Sequence, residues 1–301
     1  MTDLSRREFA ALAAAAAVAP FAQAETQSGQ GPITAQQVID RIKKSIGVEW
    51  NADTVDTLKA GDPSTTAKGI VTTSMATLQV LRQAVKTGAN LIISAQPTFY
   101  ARADVPTPPA PRGGGDPAPD RVFAAKNEFI TKNNLVIFRL SEHWRRRQPD
   151  PFAQGLATAL GWARYQSASD PLHLEVPALA LETLTTNVKR GLQSSGGIRV
   201  IGDPQLRVRR IGLLPGTTPI QAALKVLPNV DVIVAGEVRE WESVEYVRDQ
   251  VFSGAKKGLI LVGRVVSEET GMEVCANWLK TVVPEVAVRH VSAGDPYWRP
   301  A

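Results

Sequence analysis

Four polar segments of the 301-residue sequence carry side chains that could bind a ligand or move a proton. They are Ser94-Ala95-Gln96-Pro97, Ser141-Glu142-His143-Trp144, Gly236-Glu237-Val238-Arg239-Glu240-Trp241-Glu242, and Gly263 through Glu268. Each follows a short apolar run, and open α/β sheets collect ligands beyond the carboxyl ends of such strands. A metal centre built from them would be poor in nitrogen, because the chain has only His143, His173 and His290. That composition argues against a dinuclear zinc or iron site. Glu142, Glu237 and Glu268, with His143, would suit one hard divalent ion such as Mg²⁺, Mn²⁺ or Ca²⁺.

Without a metal, the same residues offer acid–base and electrostatic chemistry. Glu268 or Glu142 would act as base, His143 as acid or base, and Arg264 as a clamp for negative charge. Arg264 and Glu268 are four residues apart, so a local ion pair is an equal reading, contributing about 0.3–0.5 kcal/mol if exposed. Glu237, Glu240 and Glu242 read equally as carboxylates favoured in the first turn of a helix. His173 and His290 fall within strand-like runs and read as structural. Cys275 lies at helical spacing from Met272 and Leu279, the position of a buried core thiol. The sequence has no glycine-rich phosphate loop, serine elbow or paired-cysteine metal motif.

The elements that must position these segments alternate. Thr34-Ala35-Gln36-Gln37 has the form of a capping box, with Val38, Ile39, Ile42 and Ile46 as the apolar face of the helix it starts. Strands are expected at 69–74 and 90–94 with a helix between them stopped at Gly88, the pattern of a parallel crossover unit. Val105 to Pro119 is dominated by proline and glycine and must be a surface loop or flap. A helix near 120–132 and a strand at 135–139 come after it, then a helix near 152–160. Further strands are expected at 172–176, 197–201, 207–213, 231–235, 257–262 and 286–290, with helices near 178–191, 241–253 and 270–282. The order implies an α/β fold of two lobes, each a sheet flanked by helices, with residues 33–170 forming an N-terminal portion and 171–301 a C-terminal one.

The N-terminus reads as an export signal. Ser5-Arg6-Arg7-Glu8-Phe9 carries the arginine pair of a twin-arginine leader, Ala10 to Pro20 is a short apolar run, and Ala22-Gln23-Ala24 is a small-x-small cleavage site. Residues 1–24 are therefore expected to leave, with 25–32 a polar tether and the product periplasmic or otherwise extracytoplasmic. The apolar run is shorter than the roughly 20 residues of a membrane span, so no stable membrane anchor is expected after cleavage. Arg6 and Arg7 would leave together with Asp3 and Glu8, so the net charge stays +5, a mild excess that suits weak attraction to anions and gives no sign of nucleic-acid binding.

Long phrases of the sequence, in order, resemble the Nif-three-like family. They are Val55-Asp-Thr-Leu-Lys-Ala-Gly-Asp62, Ala89-Asn-Leu-Ile-Ile-Ser94 leading to Gln96-Pro-Thr-Phe-Tyr100, Gly236 through Glu242, and Gly263 through Met272. The resemblance spans residues 33 to 299 and takes in Ala293-Gly-Asp-Pro-Tyr-Trp298. It implies two related α/β lobes that form one unit, a two-metal site in the cleft between them, and assembly into a homo-oligomer, up to a hexamer. It also implies hydrolase or GTP cyclohydrolase labels without a settled substrate. The metal motifs depart from the family's pattern: Ala95-Gln96 stands where a histidine is usual, and Gly263-Arg264 where Gly-His is usual. Ser141, Glu142 and His143 are the nearest equivalents of the middle motif, and Glu268 is the clearest surviving ligand. The expectation is a degenerate metal site without a resident cofactor, the alternative being one divalent ion held by Glu268, His143 and Glu142. The functional expectation is a pseudoenzyme that binds a small anionic ligand or serves as a scaffold, with a metal-dependent hydrolase of a phosphoester or nucleotide-like substrate as the alternative.

Overall fold

The computed structural model describes residues 31–167, 170–298 and 300. The export signal at 1–24, and all of the tether but its last two residues, lie outside these. Among the described residues no helix is long and apolar enough to cross a membrane.

Two five-stranded sheets form the core, in the orders β1-β4-β3-β2-β10 and β5-β7-β8-β9-β6. In the first, β2 (Ile70–Thr73), β3 (Leu91–Ser94), β4 (Val136–Arg139) and β10 (Val288–His290) run parallel, and β1 (Leu58–Ala60) closes the β4 edge antiparallel. Every residue of β2, β3 and β4 is buried, which is why these strands read as unbroken apolar runs rather than alternating ones: helices cover both faces. In the second sheet β7 (Arg207–Thr217), β8 (Val232–Glu237) and β9 (Gly258–Leu261) run parallel, flanked by antiparallel β5 (His173–Ala180) and β6 (Arg199–Ile201).

Helix α1 (Ala35–Ser45) starts at the expected capping box. Thr34 Oγ1 accepts from Gln37 N, Gln37 Oε1 accepts from Thr34 N, and Val38, Ile39 and Ile42 are buried. Helix α2 (Leu78–Lys86) makes the crossover from β2 to β3, and α3 (Arg121–Lys132) leads into β4. Two short helices, α4 (Glu142–Arg146) and α5 (Pro151–Ala159), come after β4, and α6 (Leu181–Leu192), α7 (Ile220–Val226) and α8 (Glu245–Phe252) serve the second sheet.

Three departures from the sequence pattern bear on the site. Strand β10 lies at the edge of the first sheet, paired with β2, so the C-terminal portion does not confine itself to the second sheet. Its forerunner, α9 (Arg264–Val282), is longer than the expected 270–282 and leaves β9 of one sheet to reach β10 of the other. Strand β7 continues past the expected end at Leu213 through Pro215-Gly216, with a register shift against β8 between Leu214 and Thr217. Proline and glycine read as a strand terminus in sequence; here they make an irregularity within it, with Gly216 at φ 82°. Strand β1 has no counterpart among the expected elements, since three half-buried residues carry too little pattern to signal one.

Candidate functional site

The start of α9 meets the exits of β3, β7 and β8 at Glu268, which is 2% exposed. Gly263, at φ 93°, turns the chain from β9 into the helix, and one turn later the carboxylate faces inward. Glu268 Oε2 accepts from Gln96 Nε2 at 2.7 Å, and Oε1 accepts from Arg145 Nη2 at 2.9 Å. The Arg264 guanidinium lies 3.9 Å from Glu268 Oε2 and 3.9 Å from Glu237 Oε2, and its Nη2 donates to Gln96 Oε1. Gln96 is itself 2% exposed, so one amide links the carboxylate to the second arginine. Burial pushes the Glu268 carboxyl above its ordinary range, while Arg145, Arg264 and the Gln96 amide pull it back down.

Backbone geometry makes room for this network. Arg145 Nη1 donates to Pro215 O at 3.2 Å, so the irregularity in β7 supplies an acceptor as well as space. A Cβ on Gly216 would collide with Glu268 Oε1 and lie 2.8 Å from Arg145 Nη2. The Gly216 N–H donates to Ser267 Oγ at 2.9 Å, and that hydroxyl donates to Arg264 O, which ties β7 to the first turn of α9.

Of the residues singled out in sequence, Gln96, Glu237, Arg264 and Glu268 come together, whereas Glu142 and His143 are committed elsewhere. His143 is fully buried and stacked on Trp50, with ring centroids 3.8 Å apart. Its Nε2 accepts from Asn51 N at 3.0 Å, and its Nδ1 faces Asp56 Oδ2 at 2.8 Å. Both ring nitrogens therefore have protein partners, and the ring lies apart from the Glu268 network. Glu142 Oε2 accepts from Thr54 Oγ1 at 2.8 Å on the exposed surface. Together these contacts fix the loop 50–56 to the exit of β4, a structural role. Glu240 and Glu242 pair with Arg199 and Arg239, each at 2.8 Å, and sit in the first turn before α8. His173 pairs with Asp170, and His290 Nε2 lies 3.0 Å from Glu269 Oε1. Cys275 is buried in the core, where desolvation raises its thiol pKa.

Arg145 is the member of the cluster that the sequence does not single out. The run Arg145-Arg146-Arg147 is visible as a basic patch after β4, but a run of like residues does not say which one turns inward. Helix α4 does: Arg145 reaches Glu268, while Arg147 packs its guanidinium over Trp144 and Trp278.

Beside the network a cavity of about 700 Å³ opens between the exits of β8 and β9 and the C-terminal segment. Glu237, Arg264, Val265, Asp295, Tyr297 and Trp298 are among the residues that line it. Met75, just beyond β2, also lines it, so the first sheet contributes to its wall.

This arrangement of sheets and helices recurs in solved proteins. The Staphylococcus aureus hypothetical protein SA1388 matches with a TM-score of 0.68 at 16% identity, covering 90% of this chain and 100% of that one. A Bacillus cereus protein related to NIF3 matches with a TM-score of 0.64 at 13% identity, again covering 90% and 100%. The chain has the NIF3-like fold. The protein ybgI, described as of unknown function, matches at 0.63 and 16% identity, covering 88% of this chain and 100% of that one. At these identities the likeness is one of fold. No family model matches the sequence, and no curated protein matches it.

The sequence resemblance implies a two-metal centre in the cleft of this NIF3-like chain, and the residues present do not fit one. Among the described residues no three of His, Cys, Asp and Glu are grouped so as to hold a metal ion. The buried carboxylate of the network, Glu268, has an arginine on one oxygen and an amide on the other, and a second arginine 3.9 Å away. Two guanidinium charges beside the carboxylate repel a divalent cation, and each carboxylate oxygen already accepts from a protein donor. What the arrangement offers instead is a buried polar network whose Arg264 guanidinium borders the cavity.

Proposed function

We propose that this chain is an exported NIF3-like binding protein in which an internal network of Arg145, Gln96, Arg264 and Glu268 stands where relatives are expected to hold metals, and whose cleft takes a small anionic ligand. The observation that carries the reading is the commitment of both Glu268 oxygens, to Arg145 at 2.9 Å and to Gln96 at 2.7 Å. With each oxygen tied to a protein donor and two guanidinium groups beside it, the carboxylate sits in an environment that repels a divalent cation. The orientation of Arg264 supports the anionic ligand: its guanidinium borders the cavity, and its nearest carboxylates are 3.9 Å away. The arginine pair Arg6-Arg7, with the cleavage site at Ala22 to Ala24, supports twin-arginine export to the periplasm. Self-association, up to a hexamer, belongs to the same reading through the resemblance.

The deciding experiment is elemental mass spectrometry of the protein purified from periplasm by gel filtration without chelator. The expected result is no stoichiometric divalent metal, with elution at a mass larger than that of a monomer. One or two tightly held ions per chain would overturn the reading and point to a metal-dependent hydrolase of a phosphoester or nucleotide-like substrate.

A further inference from the structure

The shape and lining of the cleft restrict the ligand further than its charge does, a restriction that rests on the reading of the cleft as an anion-binding site. Beyond β10 the chain runs back across the molecule as a strap. Asp295 on this strap accepts from Ser194 Oγ and from Gly196 N, each at 2.8 Å, and Tyr297 O accepts from Ser195 Oγ at 2.9 Å. At its other end the Ala293 N–H donates to Glu269 at 3.2 Å, so the strap is fixed to α9 and to the loop after α6. The seat is close: a Cβ on Gly196 would lie 2.6 Å from Tyr297 Cβ. Two large rings are thereby held on the rim of the cavity, Tyr297 at 70% and Trp298 at 77% exposure. Rings carried on a backbone fixed in this way, and still wet, lose their water to any flat apolar surface that enters the cleft.

The rest of the lining carries the Arg264 guanidinium, 3.9 Å from Glu237, and apolar surface. The Arg264 side chain is 34% exposed and borders the cavity, and beside it Val238, Val265 and Val266 line the same space. Arg199 also lines the cavity and is bound to Glu240 at 2.8 Å, whereas Arg264 lies 3.9 Å from its nearest carboxylates. We propose that the cleft of this chain is a binding site for an aromatic anion, its planar ring against Tyr297 and Trp298 and its carboxylate, sulfonate or phosphate group on the Arg264 guanidinium. The cavity, at about 700 Å³, is within the range of small-molecule sites and exceeds what an inorganic anion needs.

Calorimetric titration of the full chain with 2-naphthoate, cyclohexanecarboxylate, 2-naphthalenemethanol and inorganic phosphate tests this. The naphthoate is expected to bind roughly tenfold more tightly than cyclohexanecarboxylate, and phosphate more weakly than either. Trp298→Ala, a change at an exposed position, should remove the preference for naphthoate and leave cyclohexanecarboxylate unaffected. Arg264→Gln should weaken both carboxylates about tenfold and leave the neutral alcohol unchanged. Equal affinity for the two carboxylates, or an unaltered preference in Trp298→Ala, overturns the aromatic ligand while the anion site stands. Equal affinity for naphthoate and the alcohol overturns the role of Arg264, and failure of every anion to bind overturns the anion site itself.

Discussion

Arg145 and Glu268 lie 123 positions apart in the chain and meet at 2.9 Å, on a carboxylate that is 2% exposed. The contact joins the exit of the first sheet, through α4, to the start of α9 at the exit of the second. A buried carboxylate needs its partners, because taking one charge out of water costs several kcal/mol when nothing compensates it.

Arg145→Met should therefore destabilise the protein by about 2 kcal/mol, below the ~3–5 kcal/mol of a fully buried pair because the arginine side chain is 36% exposed. Removing both charges, in Arg145→Met with Glu268→Leu, should recover much of that loss. Urea unfolding of the two single variants and the double variant measures this; a double variant no better than the sum of the singles would show that the pair is not coupled.

Gly216→Ala should be worse than a surface change of the same size, by about 2 kcal/mol or more. The position has φ 82°, and the added Cβ would enter the space of Glu268 Oε1 and Arg145 Nη2. Gly114→Ala, also at positive φ but with open space around it, is the control for backbone strain alone. Equal losses in chemical denaturation would mean that the approach to Glu268 contributes nothing.

Asp56→Ala should cost about 3 kcal/mol, since the carboxylate accepts from Ser141 N, Glu142 N and His143 N and also faces His143 Nδ1. It should leave the affinity of the cleft for 2-naphthoate unchanged in the folded fraction, because none of these partners belongs to the Glu268 network. A change in that affinity larger than about threefold would instead connect His143 to ligand binding.

Lys126 gives the fold a pH dependence on the alkaline side. Its Nζ donates to Thr98 O beneath the rings of Phe99 and Tyr100, and burial lowers its pKa from 10.5 to about 8. The unfolded chain holds this proton up to higher pH than the folded one, so its penalty is fully present below about 8 and is relieved as pH rises toward 10.5. Relative to Lys126→Met, which lacks the group, the native protein should gain on the order of 3 kcal/mol across that window. Thermal unfolding of both at pH 7 and pH 10 reads the difference. Parallel profiles would show that the lysine is solvated.

The fold is legible in the sequence because its parallel strands are buried on both faces and so appear as short apolar blocks, as in Leu91–Ser94 and Val232–Ala235. The capping box at Thr34 and the glycine stop at Gly88 mark helix ends for the same local reason: their geometry is decided within a few residues. Strand β1 is hidden because its existence depends on pairing with β4, a contact that no local pattern encodes.

For the site, the order of residues supplies a chemical inventory. An arginine at 264 and a glutamine at 96 stand at strand exits, with a carboxylate at 268 and only three histidines to draw on. Which of them meet is a matter of packing. His143 and Glu142 stand beside Arg145 in sequence, yet α4 sends the first two to the loop 50–56 and the third to Glu268. Side chains that are neighbours along a helix point in different directions, and a partner more than a hundred residues away is chosen by how the sheets pack.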